Sequence, residues 1–374
     1  MAKYRMQDIR NVALVGHGGT GKTTLVDACL FQAKATEKHG SVEDGTSLSD
    51  FDEEEKHRKF SIDASILHCD WKGKRLHIID TPGYPDFIGA ALSCFSAVET
   101  VLVVINAHSG IQVNTRRVFA EASQRGLGRM IVINKMDSDN IDFDGLIGSI
   151  QATFGTQCVL LNVPIGHGEK FSGVISTQNL PADVPAGVLA DPEEQQSKLS
   201  EMAIESYEGL MARYLEGEQL SEQEIATAVT QSIAAGTLVP IVFTSAKKAI
   251  GLAEMLDAIA TFGLAPDQVK RVLVKKEADT TIEIPLLVRE EGEPVAQVFK
   301  SVTDPFVGKL SYIRVHTGKL VGDTAVMNVR THKPMKFGHL FRVQGKGQEQ
   351  DPEAIAGDIV AVAKVEDLQW GDTI

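Results

Sequence analysis

The chain has few cysteines, no long apolar run and no internal repeat, and each lack removes a class of protein. Its 374 residues hold four cysteines, Cys29, Cys69, Cys94 and Cys158. They form no C-x-x-C pair and no metal-ligand spacing, which argues against a disulfide framework or a structural zinc site. They read as reduced, mostly buried thiols of a cytoplasmic protein. No segment is long enough to span a bilayer, and Met1-Ala2-Lys3-Tyr4-Arg5 lacks the apolar core of a secretory leader. A net charge of −13 argues against a nucleic-acid coat, so neither a membrane nor a DNA partner is expected. Hydrophobic content of 43% is that of a globular chain, and the length predicts two or three domains.

What is present begins at Gly16-His17-Gly18-Gly19-Thr20-Gly21-Lys22-Thr23, which fits G-x-x-x-x-G-K-S/T. An apolar run, Val12 to Val15, leads into it, and a helical stretch follows from Thr24 to Phe31. That context predicts a phosphate-binding loop whose N–H groups and helix N-terminus face a polyphosphate. Lys22 would reach the β- and γ-phosphates, and Thr23 would sit on Mg²⁺.

Three further motifs end apolar runs. Asp80-Thr81-Pro82-Gly83 follows Leu76–Ile79; there Asp80 can hold Mg²⁺ through water, and the Gly83 N–H can approach a γ-phosphate. Asn134-Lys135-Met136-Asp137 follows Met130–Ile133, and Ser245-Ala246-Lys247 follows Ile241–Phe243. Asp137 would accept from the guanine N1–H and N2–H₂ edge while the Ala246 N–H donates to O6. Adenine reverses that pattern, a mismatch worth factors up to about 10⁴. Each tetrapeptide alone is weak; four in order at the carboxyl ends of strands indicate a guanine-nucleotide domain.

Strands alternate with helices from Asn11 to about Gly263, which predicts an α/β fold, a doubly wound and mostly parallel sheet. The GTPase domain is placed at 1–270, with an inserted α+β subdomain at about 140–238. A linker at 271–281 and a small all-β barrel at 282–374 complete the expected order. Within the insertion, Ser221-x-x-Glu224 fits a capping box. Charge is uneven along the chain. Residues 191–224 carry ten acids against Lys198 and Arg213, a balance of −8. Residues 300–346 carry nine cations against Asp304 and Asp323, a balance of +7 and the footprint of a phosphate-backbone contact.

Together these motifs resemble the translational GTPases, and specifically the N-terminal half of bacterial elongation factor G. Beyond the motifs above, the resemblance rests on Ile9-Arg10-Asn11, Asp86-Phe87, Pro164-Ile165-Gly166, Tyr214-Leu215-Glu216-Gly217 and Leu220. In the barrel it rests on Thr303-Asp304-Pro305-Phe306-Val307-Gly308-Lys309-Leu310, Ile313-Arg314-Val315 and Gly357-Asp358-Ile359-Val360-Ala361. It implies a monomeric, ribosome-stimulated GTPase that drives translocation, with GTP/GDP and Mg²⁺ as cofactors. The ribosomal stalk would meet the acidic 191–224 region and ribosomal RNA the basic 300–346 region. Ribosome recycling or protection, or a GTP-binding module with vestigial hydrolysis, are the alternatives. Trp370-Gly371-Asp372-Thr373-Ile374 resembles the end of the family's second domain, so a fragment that binds nucleotide without translocating is expected.

The chain departs from the family at four places. Gly19 stands where the family has Asp. The first switch reads Arg58-Lys59-Phe60-Ser61-Ile62 instead of Arg-Gly-Ile-Thr-Ile, with Ser61 keeping the hydroxyl for Mg²⁺. Gly18 and Phe60 replace an apolar Val–Ile gate, a small-for-large swap expected to bring Phe60 onto Gly18. Tyr84 replaces the His that orients the hydrolytic water, as in a paralogous elongation-factor-G-like group that this chain most resembles. A phenol stays neutral at pH 7 and is a poor general base, so slow but real hydrolysis is expected. The site expectation is therefore Lys22, Gly83 and Tyr84 for catalysis and Thr23, Ser61 and Asp80 for Mg²⁺. The nucleotide would lie on Gly16 to Thr24, Asp80, Gly83, Asn134, Lys135, Asp137, Ser245, Ala246 and Lys247.

Overall fold

The computed structural model describes residues 4–374 except 206, 217, 219, 278–279 and 305–307. Gly217 and the Pro305-Phe306-Val307 part of the barrel motif therefore lie outside the described residues.

The first 263 residues build a seven-stranded sheet. In chain order its N-terminal elements are β1 (Ile9–Gly16), α1 (Lys22–Gln32), α2 (Glu53–Arg58), β2 (Ser65–Trp71), β3 (Lys74–Asp80) and α3 (Ile88–Ser93). Then come β4 (Thr100–Asn106), α4 (Val113–Gln124), β5 (Gly128–Asn134) and α5 (Phe143–Phe154). After β6 (Cys158–Leu160), β7 (Asn162–Ile165) and β8 (Gly173–Ser176), helices α6 (Pro192–Glu205), α7 (Glu208–Leu215) and α8 (Glu222–Ala235) lead to β9 (Val239–Phe243) and α9 (Leu252–Phe262). Strand order is β2-β3-β1-β4-β5-β9-β6, parallel throughout except at β2. Every residue of β1, β5 and β9 is buried, as expected of strands covered on both faces, which is why they read as unbroken apolar runs.

Chain that the sequence places in an insertion is knitted into this sheet, because β6 pairs with β9 and becomes its edge. The remainder is the β7–β8 hairpin and the three helices α6 to α8. The capping box forms: the Ser221 hydroxyl accepts from Glu224 N at 3.3 Å, and Ser221 N donates to Glu224 at 2.9 Å.

The expected linker is structured where it is described. β10 (Val272–Glu277) and β11 (Thr280–Pro285) pair antiparallel as a separate two-stranded ribbon. Lys275, Lys276 and Glu277 masked the β-branched start, Val272-Leu273-Val274, so polar composition read as linker where the chain extends as strand. Beyond it, Val295–Asp304, Gly308–Thr317, Ile359–Ala363, Leu340–Gln344 and Gly347–Asp351 make a five-stranded antiparallel sheet, with shorter pairs closing the barrel.

The barrel is seated on the nucleotide-binding half by one buried ionic junction. Glu99, fully buried, accepts from Arg314 Nη2 at 2.7 Å, Arg271 Nη2 at 2.9 Å and Asn11 Nδ2 at 2.8 Å. Burial pushes its carboxyl up, but Arg314 and Arg271 outweigh this and hold it below the ordinary value. Phe299, Leu310, Tyr312, Val343 and Ile359 of the barrel join the same apolar core as β1 to β5.

That junction revises the basic run. Arg314 is buried against Glu99, and Lys300, Lys319, Arg330 and Arg342 pair with Asp63, Glu353, Asp372 and Asp351, all carboxylates outside the window. A local balance of +7 thus overstates the surface charge; Lys333 and Lys346 are exposed, and Lys336, also exposed, lies 3.5 Å from Asp323. Replacing Glu99→Gln leaves the buried Arg314 and the part-buried Arg271 without their shared counter-charge. A loss of about 3–5 kcal/mol in urea unfolding is expected, whereas Glu353→Gln at the exposed pair costs below about 1 kcal/mol.

Candidate nucleotide-binding site

At the carboxyl ends of β1, β3, β5 and β9 the four sequence motifs converge. The loop after β1 turns through Gly21 at φ +84°, the N-cap of α1, where a Cβ would lie 2.8 Å from Asn134 Nδ2. Lys22 then opens the helix with its side chain folded back: Nζ donates to His17 O at 3.0 Å and Gly16 O at 3.3 Å. Burial pulls its pKa down to about 8, with Asp80 and Asp50 pushing the other way. A polyphosphate beside it would restore the charged form.

Gly83 closes on this ammonium. A Cβ there would stand 2.4 Å from Lys22 Nζ and 2.7 Å from Gly18 N, so only glycine permits the approach. Its carbonyl accepts from Asn114 Nδ2 at 2.7 Å, an anchor from the first turn of α4 that no motif marked.

Between α1 and β3 lies a pocket of hydroxyls and carboxylates. Thr23 Oγ1 and Ser49 Oγ donate to Asp80 Oδ2 at 2.7 and 2.6 Å, and Ser61 Oγ sits 3.0 Å from Thr23 Oγ1. Asp80 Oδ1 and both oxygens of Asp50 are buried without a hydrogen-bond partner. Burial raises the Asp80 carboxyl, and burial and then Asp80's charge raise Asp50 to about 7. Crowded, under-satisfied oxygens beside two further hydroxyls fit a hard divalent cation of the Mg²⁺ kind. Among the described residues no three His, Cys, Asp or Glu side chains are grouped as a complete protein-only metal site. Phosphate oxygens would have to complete the shell. Ser49 and Asp50 escaped the sequence reading because they lie in the irregular segment between α1 and α2, with no repeat or motif around them.

At the opposite end Asn134 clips two loops together. Its Nδ2 donates to Thr20 O at 3.0 Å, and its Oδ1 accepts from Thr244 Oγ1 and Ala246 N, both at 3.2 Å. The Ala246 N–H, expected on the base, here donates to Asn134 Oδ1. Ser245 Oγ donates to Asp137 Oδ1 at 2.6 Å, holding the carboxylate by one oxygen. Lys135 takes a left-handed φ of +65°, Lys247 is exposed, and Lys248 Nζ ties the loop to Gly168 O at 3.0 Å and Glu169 O at 2.9 Å.

Tyr84 is 41% exposed and lies over the phosphate loop. A Cβ on Gly18 would meet its ring at 3.2 Å. Phe60, expected on Gly18, packs on the Tyr84 ring with centroids 4.6 Å apart and a 53° tilt, and that ring supplies the three nearest atoms to a Cβ at Gly18.

Sheet order and loops define the class: a P-loop GTPase, with a β-barrel following it. Residues 7–263 match the elongation factor Tu GTP binding domain, and residues 293–374 match elongation factor G domain 2. The chain belongs to the elongation factor Tu GTP-binding family, a family of GTPase domains, and the second match makes it elongation-factor-G-like over these two domains. A crystal structure of a protein from Thermus thermophilus is similar over 98% of this chain and 54% of its own, with 29% identity and a TM-score of 0.84. The chain thus spans about half the length of that protein. No helix of the described residues is long and apolar enough to cross a membrane.

If Asp137 reads the base, Asp137→Asn exchanges an acceptor for a donor. GTP affinity should fall by about 10²-fold or more while xanthosine triphosphate affinity rises, measured by competition with a fluorescent nucleotide.

Proposed function

We propose that this protein is a cytoplasmic GTPase of the elongation factor G type, activated by the ribosome and driving a step of translation. The observation that carries the reading is the contact between the nucleotide site and the barrel. Ser61, beside Thr23, belongs to the segment that ends in Asp63 and Ala64. Lys300 of the barrel pairs with Asp63 at 2.9 Å and donates to Ala64 O, and Gly345 N donates to Ile66 O at 3.0 Å. Movement of this segment with the γ-phosphate would therefore be felt directly by the barrel, as a mechanical switch needs.

In this reading Gly16 to Thr24 cradle the phosphates and Lys22 offsets the charge that grows between the β- and γ-phosphates. Gly83 holds the γ-phosphate by its N–H, and Tyr84 stands beside the attacking water as a neutral hydrogen-bonding group. Asp137 and Ser245 select guanine; Asn134, Lys135, Ala246 and Lys247 hold the loops that present them. Thr23 and Ser61 would ligate Mg²⁺, with Asp80 and Asp50 accepting from its waters. Bound there, the ion would neutralise phosphate charge in the transition state.

The partners follow from charge and shape. The exposed acids of α6 to α8 flank a groove of about 620 Å³ lined by Leu199, Ile204, Tyr214, Leu220 and Ile225, suited to a protein of the ribosomal stalk. Ribosomal RNA would meet the barrel at Lys333, Lys336 and Lys346. Changing these three to Glu should weaken ribosome binding and reduce its salt slope by about 2. An unchanged slope removes the barrel from RNA contact.

Turnover of GTP by this protein, with and without ribosomes, tests the reading. Stimulation of about 10²-fold or more is expected. Tight GTP binding with no stimulation would favour a binding module, to which the weakly basic Tyr84 already points.

A further inference from the structure

Pro164-Ile165-Gly166, a motif with no part in the nucleotide site so far, opens the turn between β7 and β8. That turn is built for close backbone approach. Gly166 has φ +69°, and a Cβ there would stand 2.5 Å from Lys170 O. Gly168 is buried with φ +63°, and a Cβ there would lie 3.3 Å from both Ser138 O and Asp139 Oδ1, just past the base-reading motif.

Both base-reading loops are clipped to this turn. Gly168 N donates to Met136 O at 2.8 Å, inside Asn134-Lys135-Met136-Asp137. From the other loop, Lys248 Nζ donates to Gly168 O at 3.0 Å and Glu169 O at 2.9 Å, and Lys248 N donates to Ser245 Oγ at 3.1 Å. The Ser245 hydroxyl in turn donates to Asp137 Oδ1 at 2.6 Å, which closes a ring of hydrogen bonds through all three segments. Outward, Gly166 N donates to Gly187 O at 2.8 Å and Leu189 N to Pro164 O at 3.1 Å, tying the turn to the chain that enters α6.

We infer that the β7–β8 turn is a third loop of the base site, and that Gly168 and Lys248 are positioning residues for guanine selection. The inference rests on the reading of Asp137 as the group that accepts from the base, and adds what fixes its place. Ser245 restrains that carboxylate by one oxygen only. Accepting from N1–H and the 2-amino group together requires the carboxylate plane to be held; accepting from N1–H alone does not. The clip therefore bears most on the contact to the 2-amino group.

Inosine diphosphate, which lacks that amino group, is the probe, in competition with a fluorescent guanine nucleotide on this protein. Lys248→Met keeps an unbranched stem and removes the donors. Affinity for GDP should fall about tenfold and for inosine diphosphate about twofold, so that discrimination shrinks about fivefold. Gly168→Ala, which sets a methyl group against Ser138 and Asp139, should shrink it in the same direction. Glu169→Gln alters a charge of the turn but no clip, and should leave the ratio within about twofold. A general folding defect weakens both nucleotides alike, so equal losses in Lys248→Met and Gly168→Ala overturn the inference. A change in Glu169→Gln as large as that in Lys248→Met also overturns it, because charge and not the clip is then the cause. Asp137→Asn separates the two levels. Without its gain of xanthosine nucleotide the base reading itself fails; with that gain, an unmoved ratio in Lys248→Met removes the turn alone.

Discussion

Strands buried on both faces leave polar residues few places to go except the strand ends. In β1, β5 and β9 every position is buried, and β4 is buried up to Asn106. Hydrogen-bonding side chains therefore collect where the strands run out, and the parallel arrangement puts those carboxyl ends on one edge. Lys22, Asp80, Asn134 and Ser245 come together from four separate stretches of chain for that reason. The nucleotide site is a consequence of how the sheet is filled.

A second consequence concerns strain and charge. The site holds its own polar groups imperfectly: Asp50 and one oxygen of Asp80 are buried without donors, and the Lys22 ammonium is turned onto two loop carbonyls. Buried polar groups without partners cost stability. They are tolerable in a site shaped for a polyanion and a hard cation, which satisfy both sets of groups at once. Glu99 is held by its neighbours. Its carboxylate accepts from Arg314, Arg271 and Asn11, although Arg314 Nε and Nη1, Arg271 Nε and Asn11 Oδ1 find no partner. The junction seats the barrel where Lys300 reaches Asp63. One buried polar cluster is shaped for a polyanion and a cation; the other ties two halves of the chain together.

Much of this was legible beforehand. The phosphate loop is contiguous, and its glycines, Lys22 and Thr23 act through local backbone geometry, so eight residues suffice to announce it. The apolar runs before each motif marked β1, β3, β5 and β9 because buried parallel strands tolerate few polar residues. Other features were illegible for equally definite reasons. The β10–β11 ribbon hides under charged residues, and β6 is three residues long and reveals itself only by pairing with β9. Ser49 and Asp50 sit in an irregular stretch where no period exists to be read.

What the amino-acid order determined by itself was therefore local: the alternation of strands and helices, the phosphate loop, the base-reading motifs and the family they resemble. Each depends on residues close together in the chain. Tertiary structure alone decided which distant groups meet. It joined Glu99 to Arg314, 215 positions apart, and so neutralised part of a run that looks strongly basic when read in line. It also brought the Tyr84 ring to Gly18 and Phe60 onto that ring. Side-chain packing has no sequence period; it is set by which volumes remain once the sheet and its loops have closed.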